Sequence, residues 1–397
     1  MVQPKLPKFV APPGYRTQAI DISQEADLLD FYLLAQRSVT ERVEIAADLM
    51  SSARELSLQC LSRQFNYLTA HQLARKLAEA WLQDDCPPGY VPGGSAVTWV
   101  QNSIELAAHL HNVFEMANLD YFITGGVAAI AYGDPRTTRD LDIVLRVTSA
   151  AIPTLQATLE QAGFYVAGSN DAAAGRMNSL QITHLETISR ADLILSNDSA
   201  YAQEQFMRRR RYAFPNQTEV FLSSPEDVII SKLRWGRSSE SEKQQRDVLA
   251  IFKVQQDALD YSYLFRWGAE FGLSEKLEQL TTAAGVRSVA DRQWASTLYP
   301  IMMQTFSMAQ AMGQTALTAR GDEVANGRLY ILSKLSKAQI FSILAKADGR
   351  LVARFDNQGQ VFEAQPSLLD RRQWNDIDAR LQKLAQQPEP PDQESEL

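Results

Sequence analysis

The stretch DYFITGGVAAIAYGDPRTTRDLDIVLR, residues 120–146, constrains this chain more than any other. Two short runs rich in β-branched, aromatic and apolar residues flank a Gly-Gly pair, and such runs read as buried strands, one near 120–124 and one over 139–146. The residues between them predict a short helix over 126–132, closed by Gly133. The second strand carries two acids. Side chains at i and i+2 share a face of a strand, so Asp140 and Asp142 stand side by side while Leu141, Ile143 and Leu145 turn into a core. Adjacent anions repel and are tolerated where water, a cation or a basic partner lies between them.

Around this stretch the pattern alternates. Further strands are expected near 178–188, 190–196 and 218–222, with helices near 150–162 and from about 199, 225 and 240. This predicts an α+β (mixed α/β) domain over residues 96–272, one mixed sheet backed by helices. Ahead of it, 18–85 reads as a helical unit, with capping boxes at Ser38–Glu41 and Thr69–Gln72. The run CPPGYVPGGS, 86–95, has the chemistry of a linker. A third pattern, Thr98 to Gln101, is expected to open a helix that aligns Trp99, Leu106, Leu110, Val113 and Ala117 on one face. Residues 273–320 read as a helical extension and 321–387 as a small α+β unit. In that unit short strands are joined by Asp348-Gly349 and Asn357-Gln358-Gly359 and followed by a helix near 370–385. The acidic, Pro-rich tail 388–397 is expected to be disordered.

Composition narrows the function classes. A chain of 397 residues has room for two to four units, and no apolar run approaches the roughly 18 residues needed to cross a bilayer. The first residues lack the apolar core of a secretory signal, so no membrane association and a cytoplasmic location are expected. Cys60 and Cys86, with His71, His109, His111 and His184, offer neither zinc-ligand spacing nor a disulfide framework. A net charge of -8 argues against broad DNA binding and leaves room for a local RNA contact.

The chemistry gathers at the Gly-Gly pair. At a strand-to-helix junction, Gly125 and Gly126 let backbone N–H groups approach an anion such as a phosphate. A triphosphate there needs Mg2+, which is usually held by one or two carboxylates with phosphate oxygens, and Asp140 and Asp142 are placed to supply them. A third acid, Asp192, lies in another apolar strand, with Arg190 beside it as an alternative ion-pair partner. Three converging carboxylates would suit a two-metal site.

The order Gly-Gly, then Arg136-x-Thr138-x-Asp140-x-Asp142, then Asp192, resembles the nucleotidyltransferase fold of the DNA polymerase beta superfamily. More narrowly it resembles the AbiEii-type and minimal nucleotidyltransferases of abortive-infection and toxin–antitoxin systems, over residues 98–272. The segment Ser224-Pro225-Glu226-Asp227 through Lys232, followed by Arg246-Asp247, is similar to a further motif of that group. The resemblance implies a Mg2+-dependent (or Mn2+-dependent) transfer of a nucleoside monophosphate from an NTP to a hydroxyl of RNA, tRNA included, or of protein. It also implies a toxin or defence role and an antitoxin partner. Asp140, Asp142 and Asp192 would be the catalytic and metal-holding acids, Gly125, Gly126, Arg136, Thr138 and Lys232 the nucleotide contacts, and Asp227 an accessory acid.

Each motif also has a plainer reading. Asp227 fits a helix cap with Ser224 and Pro225, and Arg208 to Arg211 read as a solvated helix end. Two rival functions stand beside transfer: a non-catalytic nucleotide-binding module acting through a protein partner, and an RNA-holding regulator. The second lacks the basic stripe with exposed aromatics that single-stranded RNA binders use.

Overall fold

In the computed structural model, the acidic strand lies near the middle of a mixed sheet that has seven strands among the described residues. The structure describes residues 9–236, 242–317, 323–326, 330–335, 340–345 and 351–364. The strands are β1 Tyr121–Thr124, β2 Leu141–Leu145, β3 Phe164–Ala167, β4 Ser179–His184, β5 Arg190–Leu195, β6 Arg210–Ala213 and β7 Glu219–Leu222. Their order is β3-β4-β5-β2-β1-β7-β6. β2 runs antiparallel to β1 and parallel to β5, and β1 runs parallel to β7, so the sheet is mixed and the fold is α+β. Along β2 the alternation predicts the burial: Leu141, Ile143 and Leu145 are fully buried, while Asp142 and Val144 are half-buried.

The helices are α1 Gln24–Ala35, α2 Val39–Gln64, α3 Ala70–Leu82, α4 Ala96–Trp99, α5 Ser103–Met116, α6 Gly125–Tyr132 and α7 Ile152–Gln161. They continue as α8 Ser169–Ala173, α9 Ala200–Arg208, α10 Pro225–Trp235, α11 Glu242–Gln255, α12 Tyr261–Glu270, α13 Ser274–Ala283 and α14 Arg287–Ala311. Both expected capping boxes form, at Ser38 and Thr69. The helix expected from Thr98 instead breaks into α4 and α5, because Asn102 and Glu105 make their own capping box and restart the chain. α6 is apolar nearly all round and is packed among α2, α10 and α11, with Val127, Ala128 and Ile130 fully buried.

The chain divides into two compact units, Met1–Leu259 with Leu273–Gly285, and Asp260–Gly272 with Val286–Leu397. The boundary expected at 86–95 therefore falls inside the first unit. The Pro and Gly run lies as an extended strap on the β4–β5 turn, where Gly93 and Gly94 donate their N–H groups to the Leu185 and Glu186 carbonyls at 2.8 and 3.2 Å. Tyr90 donates its hydroxyl to the carbonyls of His184 and Thr187, at 2.7 and 2.5 Å. Tyr90 and Trp99 share one apolar cluster with Leu77 and Leu82 of α3 and with Ile188. Helical and sheet regions are thus one hydrophobic body.

The expected helical extension is split between the units, with α13 in the first and α14 in the second. The second unit holds α12, α14 and an antiparallel meander of β8 Thr315–Leu317, β9 Glu323–Asn326, β10 Tyr330–Leu335, β11 Ile340–Ala345, β12 Leu351–Phe355 and β13 Val361–Ala364. Leu298 and Met302 of α14 pack on Phe341, Ile343, Val352 and Phe355. The Asn357-Gln358-Gly359 turn forms as expected, with Gly359 at φ 83° and the Asp356 carboxylate accepting from the N–H groups of Gln358 and Gln360. Asp348-Gly349, the helix near 370–385 and the 388–397 tail lie outside the described residues.

Candidate active site

β2 and β5 carry the central pair. They are parallel and in register, with Asp142 opposite Asp192, so both side chains leave the same face of the sheet. Asp140 lies two residues before Asp142 and just ahead of β2, whose first residue is Leu141 rather than Arg139. On the other side of β2, Thr124 of β1 is the register partner of Asp142.

The Gly-Gly turn closes over this pair. Gly125 sits at φ 61°, a left-handed conformation that other residues adopt at a cost, and a Cβ there would collide with the Asp142 carboxylate. A Cβ on Gly126 would strike the Thr138 hydroxyl. The Asp142 carboxylate thus lies against the turn at the start of α6, where the Gly126 N–H favours its charged form.

Burial pushes the Asp142 carboxyl above the usual carboxylate range, and the negative charges of Asp192 and Asp140 push it further. The Gly126 N–H and the Lys232 charge pull the other way without restoring it. The Thr124 hydroxyl, on the same face, is buried without a hydrogen-bond partner, as is that of Ser223, which follows the β7 residue registered with Ile123. A buried polar atom left unpaired is costly and marks a place where a ligand atom or water belongs.

Asp192 is held by Arg190. The guanidinium lies 2.8 Å from its carboxylate and also pairs with Asp85, from the 3-10 turn Gln83–Asp85 after α3. Two side chains of the expected nucleotide site converge elsewhere. Arg136 grips Asp247 of α11 through two hydrogen bonds of 2.8 and 2.7 Å, and Lys232 of α10 lies 2.7 Å from the same carboxylate. Lys232 also donates to Gln244 at 3.0 Å. Burial works against the Asp247 charge, yet the bonds from Arg136 and the Lys232 charge hold its carboxyl below the usual range. Burial in turn pulls Lys232 below the usual lysine range.

Asp227 is used as a cap. It is fully buried, accepts the Ser224 hydroxyl at 2.7 Å, and its own N–H donates to Ser224 at 3.2 Å. The arginine run spans a helix end and the start of a strand: α9 stops at Arg208, Arg209 caps it, and Arg210 begins the edge strand β6. Arg208 pairs with buried Glu226, Arg209 with Asp120, and Arg211 with Glu219.

Asp140, Asp142 and Asp192 would offer oxygen donors alone, the chemistry that suits a hard divalent cation such as Mg2+. Among the described residues, no three acidic, histidine or cysteine side chains are gathered closely enough to hold a metal as they stand. Asp192 is engaged by Arg190. Residues the sequence reading passed over are Thr124, Asp85 and the pivotal role of Asp247. The Arg-x-Asp spacing of β5 already put Arg190 and Asp192 on one face, whereas nothing in the sequence pointed to Asp85.

No family model matches the chain, and no curated protein matches it. Among solved structures, an antigenic nucleotidyltransferase-like protein from Paracoccidioides brasiliensis aligns at 20% identity and a TM-score of 0.36, covering 47% of this chain and 93% of that one. The lincosamide antibiotic adenylyltransferase LnuA in its lincomycin-bound form aligns at 14% identity and 0.28, covering 37% and 94%. The antibiotic-resistance factor ANT(2'')-Ia aligns at 16% identity and 0.31, covering 44% and 97%. Among the described residues, no helix is long and apolar enough to cross a membrane.

Proposed function

We propose that the first unit is a nucleotidyltransferase that moves a nucleoside monophosphate from an NTP to a hydroxyl of RNA or protein, and that it is AbiEii-like with a toxin or defence role. The observation that carries this reading is the meeting of a Gly-Gly turn, a carboxylate with its proton affinity raised by burial and by neighbouring acids, and an unpartnered buried hydroxyl on one sheet face. Asp140, Asp142 and, once free of Arg190, Asp192 would hold Mg2+, which when bound neutralises triphosphate charge and promotes ionisation of the acceptor hydroxyl.

The chain's own groups do the rest. The α6 N-terminus and the Gly125-Gly126 backbone receive the phosphates, with Thr138 beside them. Asp192 takes the proton of the acceptor hydroxyl. The acceptor oxygen bonds the α-phosphorus, the bond to the β-phosphate breaks in line, and pyrophosphate leaves on the Gly-Gly side. Arg136 and Lys232 act as nucleotide contacts only after loosening from Asp247. The test is incubation of the full chain with each labelled NTP, Mg2+ or Mn2+, and total RNA or lysate protein. Label on RNA or protein, lost in Asp142→Asn, supports transfer; no label with any NTP refutes it.

A further inference from the structure

Arg190 occupies an unusual position between two carboxylates. Its side chain is 9% exposed; Asp192, 30% exposed, shares a sheet face with Asp142, and Asp85, 44% exposed, belongs to the turn that ends the helical region. The backbone at the start of β5 is pinned: Ser189 donates to the Gln101 carbonyl at 3.0 Å, and Thr183 of β4 is the register partner of Arg190. Any shift of the guanidinium is therefore a side-chain movement between the two acids. The same 3-10 turn reaches the other acid-bearing segment, since Arg139, the residue before Asp140, donates to the Gln83 side chain at 2.7 Å.

We propose that Arg190 is the resident counter-cation of Asp192 and that Asp85 is the second seat that lets it release Asp192 to a divalent cation. The proposal rests on the nucleotidyltransferase reading for what the cation serves. Arg190 and Asp85 are positioning residues. With Arg190 bonded to Asp192, the face carries a monovalent cation fixed by the protein. A divalent ion competes for the same oxygens, and the displaced guanidinium keeps one partner because Asp85 already holds it. A buried guanidinium with no partner would otherwise oppose the exchange. The helical region thereby sets the affinity of the acid site through one ion pair.

Changes at Arg190 and at Asp85 must then have opposite signs. Mn2+ titration of the full chain, followed by loss of the free-ion paramagnetic resonance signal, reads this directly. Arg190→Gln is expected to bind Mn2+ about tenfold more tightly than wild type. Asp85→Asn, at an exposed position, is expected to bind it about threefold more weakly, and Arg190→Lys to fall between wild type and Arg190→Gln. In the Arg190→Gln background, Asp85→Asn should add nothing. Weaker or unchanged binding in Arg190→Gln, an undiminished Asp85→Asn effect in the double variant, or no Mn2+ bound by any of the proteins overturns the proposal. If Arg190→Gln does not fold, unchanged Mn2+ binding in Asp85→Asn overturns it alone. Binding with these signs but no nucleotide transfer refutes the transferase reading and leaves the clasp standing; transfer without these signs refutes the clasp alone.

Discussion

Asp142 and Asp247 are aspartates of the same unit, both drawn out of water, and their carboxyls shift in opposite directions. Asp247 is met by two cations, Arg136 and Lys232, which outweigh the effect of burial. Asp142 faces two more carboxylates and receives a backbone N–H and a distant lysine charge. Burial is common to both, so it does not separate structure from function. The balance of charge around the carboxylate does: Asp247 is a finished clip between helices and a loop, while around Asp142 burial and neighbouring acids outweigh the favourable N–H and lysine charge.

The largest effect is expected from breaking the finished site. Asp247→Asn removes one partner from Arg136 and from Lys232, which is 6% exposed, and leaves that ammonium buried without its main counter-charge. A loss of about 3–5 kcal/mol is expected, measured by chemical denaturation at neutral pH. The sign with pH follows from the lowered carboxyl. Its stabilisation is present above the ordinary carboxylate value and is lost as pH falls through the folded value, so wild type and variant should converge in acid. A gap that persists there would show that the clip acts through packing rather than charge.

Asp142→Asn should separate activity from stability. Transfer is expected to fall about 100-fold or more, with NTP binding less affected because the Gly-Gly backbone remains. Folding should be unharmed or improved. A raised carboxyl favours the folded state below the ordinary carboxylate value, and that contribution is lost as pH rises through the folded value, so ionised Asp142 opposes folding at neutral pH. Urea unfolding at neutral pH and again near the ordinary carboxylate value checks this, the advantage of the variant shrinking in acid.

Gly125→Ala is expected to cost about 1–2 kcal/mol, since the residue needs a left-handed backbone and its Cβ would displace the Asp142 carboxylate. Thermal denaturation reads the cost. An unchanged midpoint would mean that the turn and the carboxylate relax apart freely.

What the sequence made legible follows from local periodicity. The i, i+2 phase put Asp140 and Asp142 together, the apolar runs gave β1, β2, β4, β5 and β7, and Ser-x-x-Glu and Thr-x-x-Gln gave two helix starts. Short elements with weak patterns escaped: β3 is four residues long, and β6 begins within a run of arginines that reads equally well as a helix end. The strap at 86–95 was misleading because Pro and Gly mark both linkers and extended segments whose backbone is bonded to a neighbour. Long-range charge pairing was least visible. Arg136 and Asp247 are 111 residues apart, and only the fold brings them within 2.8 Å.

The central claim is that the charge imbalance at Asp142, which Arg136 and Lys232 resolve at Asp247, makes it a cation ligand, and thermal unfolding of wild type and Asp142→Asn with and without Mg2+ tests it most directly. Mg2+ at about ten times its dissociation constant should stabilise the wild type by about 1.4 kcal/mol and leave Asp142→Asn unmoved. Without Mg2+ the variant should be at least as stable as wild type. Equal stabilisation of both proteins by Mg2+, or a variant less stable than wild type in its absence, would contradict the account.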